Sequence, residues 1–167
     1  GLEDDEVETA CSKVEEGFVR AVNYNCPGQV VVSGEKEAVL RAMEIAKEMG
    51  ARKVIELKTS GPFHTEKLQN ASKALKDELE KIKFNKCNIP VIKNLNGEAY
   101  SEKDNIVEIL ASHVMSPVKF RKTIETMLNM GIDTFVEIGP GKTLSGFVKK
   151  VCKEKNVEAN ILNIENV

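Results

Sequence analysis

The chain has 167 residues, of which 41% are hydrophobic, 30% charged and 5% aromatic, enough apolar content for a packed core and too much for intrinsic disorder. Twenty-four Lys and Arg against 26 Asp and Glu leave a net charge of -2, which supplies no basic footprint for nucleic acid. No run approaches a membrane-spanning length, the start at Gly1-Leu2-Glu3-Asp4-Asp5 is acidic where a signal peptide is basic, and four dispersed cysteines make neither a zinc motif nor a disulfide framework. The expectation is one soluble, intracellular unit, or one domain plus a piece, placed in the cytoplasm, with no nucleic-acid or membrane partner and no metal.

In chain order, Leu2 to Val14 carries apolar residues at helical spacing and is broken by Gly17. Phe18 to Tyr24 and Gln29 to Ser33 read as two strands around the turn Asn25-Cys26-Pro27-Gly28. Glu35 to Met49 is a helix stopped by Gly50, and Lys53 to Lys58 a further strand. This order is a ferredoxin-like β-α-β-β-α-β unit without its first strand, so the spacing predicts protein upstream of Gly1.

A second unit begins after Thr59-Ser60-Gly61-Pro62. It opens with a long helix whose Leu68, Ala71, Leu75, Leu79 and Ile82 form an apolar stripe. A short strand near Ile89 to Lys93, a turn at Asn96-Gly97 and a helix near Asp104 to His113 follow. Ser116-Pro117 suits the opening of another helix, which stops near Gly131. Thr134 to Ile138 is a strand, a helix then runs to Lys155, and Asn160 to Ile164 is the last strand. The alternation predicts an α/β fold with a parallel or mixed sheet, divided into segments 1–59 and 60–167.

Three groups of residues could carry chemistry. Gly139-Pro140-Gly141-Lys142-Thr143 ends like a phosphate-binding loop, but Val136 stands where that motif needs its first glycine, so a tight strand-to-helix turn is the better reading. His64, in Gly61-Pro62-Phe63-His64-Thr65, sits where the two units join, a common place for a cleft. No G-x-S-x-G elbow occurs, and Cys26 reads as a small buried thiol, so a nucleophile for His64 is expected outside this chain.

The strings Asn23-Tyr24-Asn25-Cys26-Pro27-Gly28-Gln29-Val30-Val31-Val32-Ser33-Gly34, Gly61-Pro62-Phe63-His64, Ser116-Pro117-Val118-Lys119-Phe120 and Glu137-Ile138-Gly139-Pro140-Gly141-Lys142 stand in an order and spacing that resembles the malonyl-CoA:acyl-carrier-protein transacylase family across nearly all of the chain. Acyltransferase domains of polyketide and fatty-acid synthases share the same likeness. The resemblance implies an α/β-hydrolase-like core with an inserted ferredoxin-like small subdomain, of which this chain holds the C-terminal part. It implies an enzyme moving malonyl from malonyl-CoA to the pantetheine thiol of acyl-carrier protein in fatty-acid biosynthesis. The acyl-serine intermediate would form on the N-terminal remainder of the same enzyme, leaving this chain inactive alone, and no cofactor is required.

By the same resemblance, His64 falls on the catalytic histidine and His113 on the position whose backbone carbonyl orients it, usually a Gln. Phe63 falls beside the acyl group, where a bulky ring would disfavour methylmalonyl, and Asn25 on a cleft-facing asparagine that contacts substrate. Lysines of the long helix and the tail could dock an acidic carrier protein, but interspersed carboxylates favour an ordinary solvated face. The end at Val167 without a linker points to a freestanding carrier. The competing reading is a non-catalytic module that binds a coenzyme or carrier protein.

Overall fold

The computed structural model describes residues 1–59 and 61–165. Helix α1 (Asp4–Ser12) opens on a capping box, in which the Glu3 and Glu6 side chains each take the other's backbone N–H. Strands β1 (Val19–Cys26) and β2 (Gln29–Gly34) form an antiparallel hairpin, and α2 (Lys36–Glu48) follows. The hairpin turn has Pro27 ahead of Gly28, whose φ of 69° favours a residue without a Cβ. At the far end a Cβ on Gly34 would lie 2.0 Å from the Phe18 carbonyl oxygen, so only glycine fits there.

The register slips between Ala21 and Asn23 and again between Tyr24 and Cys26, leaving Val22 and Asn25 as extra residues in bulges. The first bulge frees backbone groups for a third segment. The Val118 N–H donates to the Val22 carbonyl at 2.8 Å, and the Tyr24 N–H donates to the Val118 carbonyl at 2.9 Å. Val118 therefore bridges to β1 after a bend at Ser116, and Ser116-Pro117 is not the first turn that Ser and Pro predict. Helix α5 (Phe120–Asn129) starts only after it.

The second half continues through a short 3-10 turn (Glu66–Leu68), α3 (Gln69–Leu79) and α4 (Ile106–His113). After α5 come β3 (Thr134–Ile138), α6 (Thr143–Lys155) and β4 (Asn160–Ile164). β3 and β4 pair in parallel through a right-length helical crossover, as the alternation predicts. The core gathers Ile124 of α5, Phe147, Val148, Val151 and Cys152 of α6, and Cys26 from the hairpin, so segments 1–59 and 60–167 share packing. Arg121 joins three helices, with Asp4 of α1, Glu125 of α5 and Glu154 of α6 around its guanidinium.

Two expectations fail for the same physical reason. Residues 53–58 form no ladder, and the stripe on α3 is not buried: Leu75 is 36%, Leu57 56% and Ile55 59% exposed, while Ser72 is the one buried residue of α3. A strand exists only with a partner, and an amphipathic face is buried only where something covers it. Among the described residues neither is present. The strand predicted at 89–93 is likewise reduced to a single bridge, Ile92 to Ala99. The β3–β4 pair shows the same incompleteness, since Phe135 and Ile161 pack on the core while Val136, Ile138, Leu162 and Ile164 on the other face are 41–76% exposed. Parallel strands are ordinarily covered on both faces.

Among the described residues no helix is long and apolar enough to cross a membrane, and no group of three metal-ligating side chains could hold an ion. The four cysteines are free, with Cys11, Cys26 and Cys152 buried.

Candidate active site

The segment before α3 is wound tightly. The Phe63 N–H donates back to the Gly61 carbonyl at 3.0 Å across Pro62, and His64 then adopts a left-handed backbone with φ 60°. Such a φ is uncommon for a residue with a Cβ, and strain of this kind clusters at functional sites. Thr65 is fully buried, its hydroxyl donating to the Pro62 carbonyl at 2.7 Å.

The ring of His64 reaches the C-terminal end of α4, where its Nδ1 lies 3.2 Å from the His113 carbonyl oxygen. A carbonyl can only accept, so Nδ1 carries a proton and, in the neutral ring, the lone pair sits on Nε2. The same carbonyl accepts the Ser116 N–H at 3.3 Å. The end of α4 is held against α3 by Ser72, whose buried hydroxyl donates to the Ala111 carbonyl at 2.6 Å, and at its other end by a Lys76–Glu108 ion pair. Because α3 follows His64 after Thr65 and the 3-10 turn, this clasp sets the ring and its carbonyl in register. Helix α4 is itself anchored by Asn105, whose side chain caps the Glu108 N–H.

The His113 side chain lies beside the His64 ring, with centroids 5.2 Å apart and planes tilted by 36°. Its Nε2 is buried without a partner. Burial, and then the neighbouring His64, hold the His113 imidazole below its ordinary value of 6.5 and so favour its neutral form.

Phe63 is half exposed, at 49%, immediately before His64. Asn25 occupies the second bulge of β1, and no hydrogen bond joins it to the histidine pair among the described residues. Some lysines of these faces are paired: Lys67 with Glu35, Lys81 with Glu78 and Lys155 with Glu125, at 2.6–3.1 Å, and Lys76 with Glu108. The glycine turn after β3 is filled from within, because the Glu137 carboxylate accepts the Leu144 and Ser145 N–H groups at 3.0 and 2.7 Å at the start of α6. The helix terminus that an anion could have used is thus occupied by the chain's own side chain.

Thr65, Ser72 and Glu137 are the residues that sequence reasoning passed over. Thr65 and Ser72 had no signal beyond adjacency to His64 and a polar position in a helix. Glu137 could have been found as a carboxylate a few residues before a helix start.

A mixed α/β chain with a histidine held by a main-chain carbonyl ahead of α3 belongs to a class that the family match states: residues 1–163 match the acyl transferase domain family, and the chain belongs to it. Within that family it is 43% identical over 153 residues to the malonyl CoA-acyl carrier protein transacylase of Bacillus subtilis, and 32% identical over 169 residues to that of Staphylococcus aureus. Those alignments cover 90% and 100% of this chain but 48% and 54% of the relatives, so the chain spans about half their length. Among solved structures, the malonyl CoA-acyl carrier protein transacylase of Clostridium perfringens superposes with a TM-score of 0.88 at 50% identity, over 98% of this chain and 49% of that one. A type II PKS acyl-carrier protein in complex with its malonyl-transacylase matches with a TM-score of 0.88 at 32% identity, over 98% of this chain and 51% of that one.

Proposed function

We propose that this chain is the C-terminal portion of an acyltransferase that carries malonyl from malonyl-CoA to the pantetheine thiol of acyl-carrier protein in fatty-acid biosynthesis, with His64 as general acid and base. The observation that carries the reading is the 3.2 Å contact from His64 Nδ1 to the His113 carbonyl, which leaves Nε2 free to take a proton. The similar transacylases support the substrate and the carrier.

In the first half-reaction, Nε2 accepts the proton of a serine hydroxyl as its oxygen bonds to the thioester carbon. The C–S bond then breaks, the proton passes from Nε2 to the coenzyme A sulfur, and malonyl remains as an ester on serine. In the second half, the carrier thiol gives its proton to Nε2 and attacks the ester carbon, and the proton returns to the serine oxygen. No metal or redox step enters. Phe63 crowds the acyl α-carbon, and Asn25 contacts substrate from the bulge in β1.

The serine belongs to the N-terminal remainder of the enzyme. Coverage of about half of each relative supports this, as do the open apolar face of β3 and β4 and the unpaired run 53–58. In this reading residues 1–59 form a ferredoxin-like small subdomain, and 60–167 the returning part of an α/β-hydrolase-like core. The whole enzyme works in the cytoplasm, and this chain alone turns over no malonyl.

The test is transfer of labelled malonyl to acyl-carrier protein by the protein at its full natural length. His64→Ala should slow it by about 100-fold to 10,000-fold with the fold retained. Near-normal transfer by a folded variant would overturn the assignment, and turnover by residues 1–167 alone would overturn the need for a remainder.

A further inference from the structure

Among the described residues only two outside glycine have positive φ, His64 at 60° and Asn156 at 54°. Asn156 ends α6, where a left-handed asparagine is an ordinary stop. His64 ends no helix, so its conformation has to be imposed by its neighbours. The residue after it holds the means. Thr65 occupies the N-cap position of the 3-10 turn, where a threonine hydroxyl normally turns forward to accept an N–H. It makes no such cap. It turns back and donates to the Pro62 carbonyl at 2.7 Å, closing a ring of hydrogen-bonded chain across His64, with its own surface 0% exposed.

We propose that Thr65 is a positioning residue for His64: its hydroxyl clasps the Pro62 carbonyl and so keeps His64 in the left-handed backbone that aims Nδ1 at the His113 carbonyl. Its functional consequence rests on the reading of His64 as the acid-base group; its structural content does not. Without the hydroxyl, the part-buried Pro62 carbonyl loses its partner within the protein, and His64 relaxes toward ordinary φ values. The ring then leaves the carbonyl that selects its tautomer.

The experiment compares Thr65→Val, which keeps the shape and loses the hydroxyl, with Thr65→Ser, which loses the methyl and keeps it. The ring nitrogens of His64 are followed by 15N NMR in the protein at its full natural length, with its signals assigned by their absence in His64→Gln. The Nδ1–H form should dominate in the wild type and in Thr65→Ser, and give way to a mixture in Thr65→Val. Malonyl transfer by Thr65→Val should lose about 10-fold to 100-fold in kcat, as expected for a small misplacement of a reacting group, with KM for malonyl-CoA unchanged and Thr65→Ser near normal. Wild-type tautomer and kcat in Thr65→Val would overturn the proposal. So would loss of the fold or of the tautomer in Thr65→Ser as well, because volume and not the hydroxyl would then be what matters. If His64→Ala transfers malonyl normally, the functional reading falls, while the tautomer comparison still decides the clasp.

Discussion

His64 meets His113 twice, once through its Nδ1, 3.2 Å from the His113 carbonyl oxygen, and once through its ring, 5.2 Å from the His113 ring between centroids. The first contact uses an atom that every residue type possesses. The second belongs to histidine alone, and the two are therefore separable by mutation.

His113→Gln removes the ring and keeps the carbonyl. Malonyl transfer by the protein at its full natural length should remain within about threefold of the wild type, against the loss of about 100-fold or more expected for His64→Ala. A large fall in kcat for a folded His113→Gln protein would assign the side chain a part in the chemistry.

The same substitution has a consequence for stability. The folded chain holds His113 below 6.5, so the unfolded chain binds a proton there more readily, and folding loses stability as pH falls below 6.5 toward the depressed value. Above 6.5 the contribution is intact. Thermal unfolding of residues 1–167 across this range should show a shallower decline for His113→Gln, and an equal slope in both proteins would contradict the assignment of that decline to His113.

Ser72→Ala removes the buried donor that joins α3 to the Ala111 carbonyl. That carbonyl still accepts the Val114 N–H at 3.3 Å, so it is weakened and not orphaned. The expected cost is about 1 kcal/mol, read from urea unfolding midpoints at constant slope. No change would mean that α3 and α4 are held by their other contacts alone.

Phe63 is 49% exposed, so Phe63→Ala should change stability by no more than about 0.5 kcal/mol. In the proposed reading its effect falls on selectivity. Competition between malonyl-CoA and methylmalonyl-CoA should shift toward the bulkier substrate by about 10-fold, the worth of roughly one methyl group in a close-fitting pocket. An unchanged ratio would leave Phe63 as a cover over the hinge.

Much of the local structure was legible in the sequence. Thr134–Ile138 and Asn160–Ile164 are the strands expected from their apolar content and flanking turns, and α2 lies within the expected Glu35 to Met49. The hairpin follows from Pro27-Gly28 between two β-branched runs. The run at 116–118 misled because Ser and Pro suit a helix start equally well wherever they stand. Only the bulge at Val22, which offers a free carbonyl, draws that run onto β1. Residues 53–58 and the stripe on α3 misled because periodicity reports which face could be buried, and not whether anything covers it.

The sequence by itself determined the β1–β2 hairpin, α2, β3, β4 and the place of His64 just after Gly61-Pro62, because turn chemistry and helical or strand periodicity are written within a few neighbouring residues. The resemblance named the His113 carbonyl as the partner of His64, but only tertiary structure decided the geometry of that contact, because the oxygen lies 49 residues away at the end of a helix held in place by Ser72. The left-handed backbone that aims the ring was not legible in the sequence, since a φ of 60° is unfavourable locally and is held by the fully buried Thr65 that spans it.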